Sequence, residues 1–105
     1  MSEYNGYTID INPAVLESVA REVGIIAADL YSQGKKMKRV VSDVEDAWQS
    51  DYTDMYTSNI YTVKAETEAT AEGLENVADS LRRIAERVRE LERELARRAQ
   101  EAAER

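Results

Sequence analysis

The sequence predicts an all-α protein, an antiparallel helix-turn-helix hairpin that dimerises into a four-helix bundle. Three observations predict it. Apolar residues recur at alternating steps of three and four along two long runs. A corner, Ala47-Trp48-Gln49-Ser50-Asp51, separates those runs and holds the only tryptophan of the 105 residues. A single proline, four glycines and no phenylalanine, with 43% hydrophobic and 33% charged residues, suit helices with a wet surface and argue against a sandwich or barrel.

Ahead of the helices, Tyr7-Thr8-Ile9-Asp10-Ile11 alternates with period two, a short extended signal. Asn12-Pro13 marks a helix start, because Asn caps and Pro is favoured at the first helical position. Helix 1 is expected over about 12–48, with its seam at Leu16, Val19, Val23, Ile26, Leu30, Met37, Val41, Val44 and Trp48. One seam position is skipped, at Gln33 or Gly34. Gly34 costs about 1 kcal/mol of helix propensity relative to Ala. Either it is a tolerated weak point, or the helix bends there, or the missing side chain admits a partner's backbone. Ala20, Ala27 and Ala28 flank the seam and allow another helix to come close, while Lys35, Lys36, Lys38 and Arg39 read as a solvated face.

Trp48 closes helix 1, and the turn covers 49–51, where Ser50 and Asp51 can cap the start of a second helix. Helix 2 is expected over about 52–104, with Tyr52, Met55, Ile60, Val63, Thr67, Thr70, Leu74, Val77, Leu81, Ile84, Val88, Leu91 and Leu95 as its seam. From Ile60 the alternation is unbroken, as in a coiled coil. Glu86–Arg89, Glu90–Arg93 and Glu94–Arg98 have the spacing of pairs that add a few tenths of a kcal/mol each to a helix end.

The two arms are unequal. At 1.5 Å per residue they measure about 54 Å and about 80 Å. Folding at Gln49 leaves an overhang from about 88, where Val88, Leu91 and Leu95 continue the seam and become partner-binding candidates. Two helices that bury one stripe each also make too little core for a stable monomer. Association of two hairpins is the economical solution.

Chemistry is sparsely represented. No Cys and no His exclude disulfides, thiol nucleophiles, imidazole bases and ordinary zinc sites. Asp43, Glu45, Asp46 and Asp51 lack the Gly and terminal Glu of a calcium loop. No phosphate loop or nucleophile elbow is present, so neither an enzyme nor a cofactor is expected. Ten acids against the single base Lys64 over 40–81 should repel a phosphate backbone. The eight arginines over 82–105 are interleaved with six glutamates, a solvated surface and no nucleic-acid patch. No stretch reads as a classical signal peptide or as a membrane span, so membrane insertion is not expected and any export would use another route.

Six tyrosines and no phenylalanine is an uncommon aromatic choice. Tyr52, Tyr56 and Tyr61 fall close to Trp48 in sequence and form a candidate corner cluster. Such rings with polar tips either staple the turn or offer a recognition surface.

A chain of this length, with two long helices and a central Trp-x-Gly-like corner, resembles the WXG-type, early-secreted-antigen-like small proteins of bacterial type VII secretion. The resemblance runs from Ile9-Asp10-Ile11-Asn12-Pro13, through Ala47-Trp48-Gln49-Ser50, to Leu81-Arg82-Arg83-Ile84-Ala85-Glu86. It implies a dimeric hairpin, secreted by a non-classical route and cytoplasmic before export. Its implied partner is a second copy, a related hairpin or a larger effector, with the secretion ATPase as a further contact. The implied role is a small non-enzymatic substrate or targeting partner. Two departures stand out. The turn motif Trp48-Gln49-Ser50 has Ser where the family has Gly. The family's export signal, Tyr-x-x-x-Asp/Glu, falls on 88–92, where Val88 replaces the tyrosine and Glu92 keeps the acid. Periodicity alone also fits an alternative, a structural coiled-coil adaptor unrelated to secretion.

Overall fold

The structure, a computed structural model, describes residues 2–4 and 7–104, with side chains from Asp10 to Glu104. The period-two signal forms a strand over only part of its length. β2 (Tyr7–Ile9) pairs antiparallel with β1 (Ser2–Tyr4), Ser2 opposite Ile9 and Tyr4 opposite Tyr7. Beyond it, α1 (Pro13–Ala47) and α2 (Thr53–Ala103) fold back on each other as one hairpin measuring 84 × 21 × 14 Å.

α1 starts where Asn12 caps it. The Asn12 backbone is extended, and its Oδ1 accepts hydrogen bonds from the amides of Ala14 at 3.0 Å and Val15 at 3.4 Å. Pro13 comes next, where its missing N–H leaves no bond unmade. α1 then continues unbroken through Gly34 to Ala47.

The two helices meet through small residues. Ala20, Ala27, Gly34 and Val41, seven apart on α1, are buried, and so are Ala71, Ala78 and Ala85, seven apart on α2. Seven residues are nearly two turns, so each set forms one column. Alanine and glycine there let the backbones approach closely. Ala20 and Ala27 act as their spacing suggests, whereas Ala28 is exposed.

Gly34 serves neither a bend nor a backbone contact. A Cβ on it would stand 3.0 Å from Glu68 Oε1 and 3.2 Å from Glu68 Cγ, so the glycine makes room for a side chain of α2. Glu68 is held there by an ion pair with half-buried Lys64, one turn earlier on α2. The residue that costs helix propensity is repaid in packing.

The register is set by two contacts seven residues apart on each helix: Glu17 forms an ion pair with Arg89, and Gly24 lies over Arg82. Both arginines reach across with long side chains. Val88 and Arg89 are the last residues of α2 with any shelter, every described residue from Glu90 on being exposed. The overhang therefore begins at about Glu90, a little past the expected 88. The pivot lies near Tyr52 instead of at Gln49, and each residue of pivot displacement moves the pairing by two. Val88 and Arg89 are accordingly half-buried beside α1.

The helix-end pairs also differ in part from those expected. Glu94 and Arg98 do pair, at 2.8 Å. Arg89 reaches across to Glu17, however, and Glu90 meets Arg87 at 3.5 Å.

Candidate functional site

An apolar face runs the length of the hairpin. Each helix turns about 100° per residue, so the residue before each buried small residue points roughly a quarter turn away. On α1 those residues are Val19, Ile26, Gln33 and Val40. On α2 they are Tyr56, Thr70, Val77 and Ile84, and Val63 keeps the same heptad phase ahead of half-buried Lys64. Antiparallel helices are related by a two-fold axis, so the same offset lands on the same side of both. The result is a single face with Ile26 52% and Val63 49% exposed. Leu16, Val23, Leu30, Leu74 and Leu81 lie half-buried between this outer row and the alanine column.

This placement corrects a sequence expectation. The 3/4 seam is not the line along which the hairpin's own helices meet. It straddles the contact, one edge facing the other helix and the other facing outward. A groove on the same face, lined by Gln33, Lys36, Met37, Val40, Asn59, Ile60 and Val63, exposes mainly apolar surface. Met55, read as a seam residue, is exposed.

At the corner, four residues hold the turn. Trp48 ends α1 with an extended backbone, and its N–H still donates to the Val44 carbonyl at 2.9 Å. The Ser50 hydroxyl accepts from the Tyr52 amide at 3.2 Å, and the Thr53 hydroxyl oxygen accepts from the Ser50 amide at 3.1 Å. This reciprocal pair lies at the entry to α2, whose own N-cap is Tyr52 with no side-chain cap. Neither Ser50 nor Asp51 therefore caps the helix as the sequence suggested, and Ser50 instead ties the turn together. The Thr53 hydroxyl itself donates to the Trp48 carbonyl at 3.0 Å, tying the end of α1 to the start of α2. Thr53 is only 5% exposed.

The expected aromatic cluster forms only in part. Trp48 packs on Tyr56, ring centroids 5.2 Å apart and planes at 45°. Tyr52 is 65% exposed, on the turn itself. Tyr61 lies five residues past Tyr56, about 140° further round the helix, and so points to the opposite side. Trp48 itself keeps 39% of its surface exposed and continues the apolar face at the corner.

Toward the open end, Val88 is half-buried while Leu91 and Leu95 are exposed. Leu91 extends the outer row, and Leu95 stands on the overhang. Glu92 is exposed one turn beyond Val88, so the pair keeps helical i, i+4 spacing.

The other face of the hairpin is polar. Glu17, Arg21, Arg82, Glu86, Arg89 and Arg93 line an open cleft near its end. Tyr31 is half-buried there. Burial, and then the charges of Glu75, Glu72 and Glu68, push its phenol above the ordinary tyrosine value. Among the described residues no group of three acids gathers where it could hold a metal ion, and no helix is long and apolar enough to cross a membrane.

Several of these residues escaped the sequence reading. Thr53, Tyr31 and the alanines of α2 carried no expectation. A signal for the last was present: Ala71, Ala78 and Ala85 repeat every seven residues, as Ala20 and Ala27 do. Small residues at heptad spacing mark close helix contact even when larger residues nearby have the stronger apolar periodicity.

The family model described as "Proteins of 100 residues with WXG" matches residues 8–93. No curated protein and no solved structure matches the chain.

Proposed function

The chain belongs to the WXG100 family, the small helical proteins of type VII secretion, and from that premise we propose that it acts as a non-enzymatic secretion substrate or targeting partner through helical dimerisation. The observation that carries the reading is the apolar face shared by both helices. Val19, Ile26, Val40, Val63, Val77 and Ile84 are each more than a third exposed on it. A face of that extent in water calls for a helical partner.

Binding, and no chemistry of its own, fits the inventory of side chains. The chain has no Cys or His, and the grooves described above are a charged cleft and a mainly apolar trough. The partner is a second copy, a related hairpin or a hairpin segment of a larger effector, and the secretion ATPase is the next contact in the route. Family membership supports this role over the alternative of a structural adaptor unrelated to secretion. Before export the protein is cytoplasmic, and afterwards it lies outside the cell.

The test is export from cells with an active type VII exporter, set against cells lacking its ATPase. Accumulation in the medium should depend on that ATPase. Equal release from both strains would overturn the reading.

A further inference from the structure

The polar face of the hairpin changes sign along its length. Around Tyr31 it carries Glu68, Glu72 and Glu75, whose charges reach the phenol. Toward the open end Arg21, Arg82, Arg89 and Arg93 line the cleft with only Glu17 and Glu86. Four arginines against two glutamates leave a local surplus of two positive charges on a chain whose net charge is −7. The arginines of α2 are interleaved with glutamates in the sequence, but the helix sorts them. Arg82, Glu86, Arg89 and Arg93 step by four, three and four and so share one stripe, while Arg83 and Arg87 fall outside it.

Two features hold that stripe in place. Gly24 of α1 leaves room for the Arg82 guanidinium to lie across the groove, where a Cβ would already touch it at 3.6 Å. The same guanidinium is tied to Asp79 at 3.1 Å, and half-buried Arg89 is tied to half-buried Glu17 of α1. Arg21 and Arg93 are exposed and, among the described residues, form no ion pair. Two arginines are thus fixed by the hairpin itself, and two are left to meet a ligand.

We propose that this cleft is a docking site for an acidic helix of a partner protein, whose carboxylates, spaced by three and four, meet Arg21, Arg82, Arg89 and Arg93. The inference goes beyond the reading above and does not depend on it, since the cleft is on the face away from the apolar one and stays open when that face is covered. The stripe from Arg82 to Arg93 is about 16 Å long at 1.5 Å per residue, roughly three turns of a helix laid alongside. Each guanidinium presents a planar fork that pairs with a carboxylate through two parallel bonds. A partner helix with acids at heptad spacing brings them onto that stripe, as charged residues flanking a coiled-coil seam do. Every residue lining the cleft is charged, so it lacks the apolar enclosure that a small molecule requires. A long polyanion such as nucleic acid would run on past Arg82 into Asp79, Glu75 and Glu72, which repel it, whereas a helix of three turns ends before them.

The test uses the full chain and a fluorescein-labelled, alanine-rich peptide with glutamates at steps of four, three and four, read by anisotropy. A control peptide has the same composition with its glutamates spread around the helix. The first should bind saturably at about 0.05 M salt and about tenfold more weakly at about 0.5 M, where the ion pairs are screened. The control should bind about tenfold more weakly than the first, because only part of its charge reaches the stripe. Arg21→Gln with Arg93→Gln should weaken the peptide about tenfold and leave melting unchanged, because neither arginine pairs within the described hairpin. Arg21→Glu with Arg93→Glu reverses the surplus and should transfer preference to a lysine peptide of the same spacing. No saturable binding at low salt, or equal binding of the two glutamate peptides, overturns the proposal. A loss of binding matched by a loss of melting temperature makes the two arginines structural and overturns it as well. Displacement of the peptide by inorganic phosphate or duplex DNA at lower concentration than by unlabelled peptide assigns the cleft to phosphate and overturns the acidic helix.

Discussion

Gly34 on α1 lies directly beneath Glu68 on α2, so close that a Cβ would come within 3.0 Å of the carboxylate oxygen. All three of the nearest atoms belong to that one flexible side chain. Gly34→Ala should therefore be almost neutral. The gain in helix propensity, about 1 kcal/mol, offsets a displaced Glu68 and a weakened surface ion pair worth less than that. With Glu68→Ala added, the obstacle disappears and thermal melting should rise by several degrees. Gly34→Leu should instead force the helices apart and lower the melting point sharply. A large loss in the alanine variant would show that the backbones, and not Glu68, limit the space.

Trp48→Ala should cost about 1–2 kcal/mol. A fully buried tryptophan would lose about 3–5 kcal/mol, but Trp48 is 39% exposed and its main partner is the Tyr56 ring. Chemical denaturation measures this. A mild loss of stability combined with a severe loss of export would place the ring on the recognition surface.

The corner depends more on Thr53 than on Ser50. Thr53→Val removes the hydroxyl that bridges the Trp48 carbonyl and the Ser50 amide at a site only 5% exposed, and should cost about 1–3 kcal/mol. Ser50→Gly restores the family's turn residue and should cost less, because the Tyr52 amide that loses its partner is exposed to water. Melting of the two variants side by side should rank them in that order.

Tyr31 gives the hairpin an alkaline limit. Its folded phenol titrates above the unfolded value of 10.0, so the neutral form is the one the fold favours. The stabilisation is complete below pH 10 and is lost as pH rises through the folded value. Tyr31→Phe should flatten the decline of stability above about pH 10. An unchanged alkaline slope would remove Tyr31 from the account.

Truncation separates the overhang from the hairpin. Ending the chain after Arg93 should leave its stability close to that of the full length. Ending it after Arg87 removes half-buried Val88 and the Glu17–Arg89 pair, and should lower the melting point by several degrees. Equal melting of both would contradict the register described for α1 and α2.

Val88→Tyr rebuilds the missing signal, since Glu92 lies four residues on and exposed. Export of the protein expressed by itself should increase. No change, in cells where the exporter is active, would mean that the absent tyrosine does not limit export.

Asn12-Pro13, Trp48 and the long 3/4 alternation sufficed to read two helices, their corner and their family from the sequence. Those signals are local: caps, propensity and periodicity act within a turn or two of the residue that carries them. The sequence could not say which way the seam points. Val19 and Ala20 are neighbours in the chain, and only the presence of Ala85 across the gap decides that the alanine turns inward and the valine outward. Tyr56 and Tyr61 were equally plausible partners for Trp48 until the helix phase put them on opposite sides. Val88 became part of the hairpin because the pivot lies near Tyr52, and the start of the overhang moved with it. Phase and register are set where two helices meet, through close packing of small residues that carry little apolar signal, and that is a property of the tertiary structure.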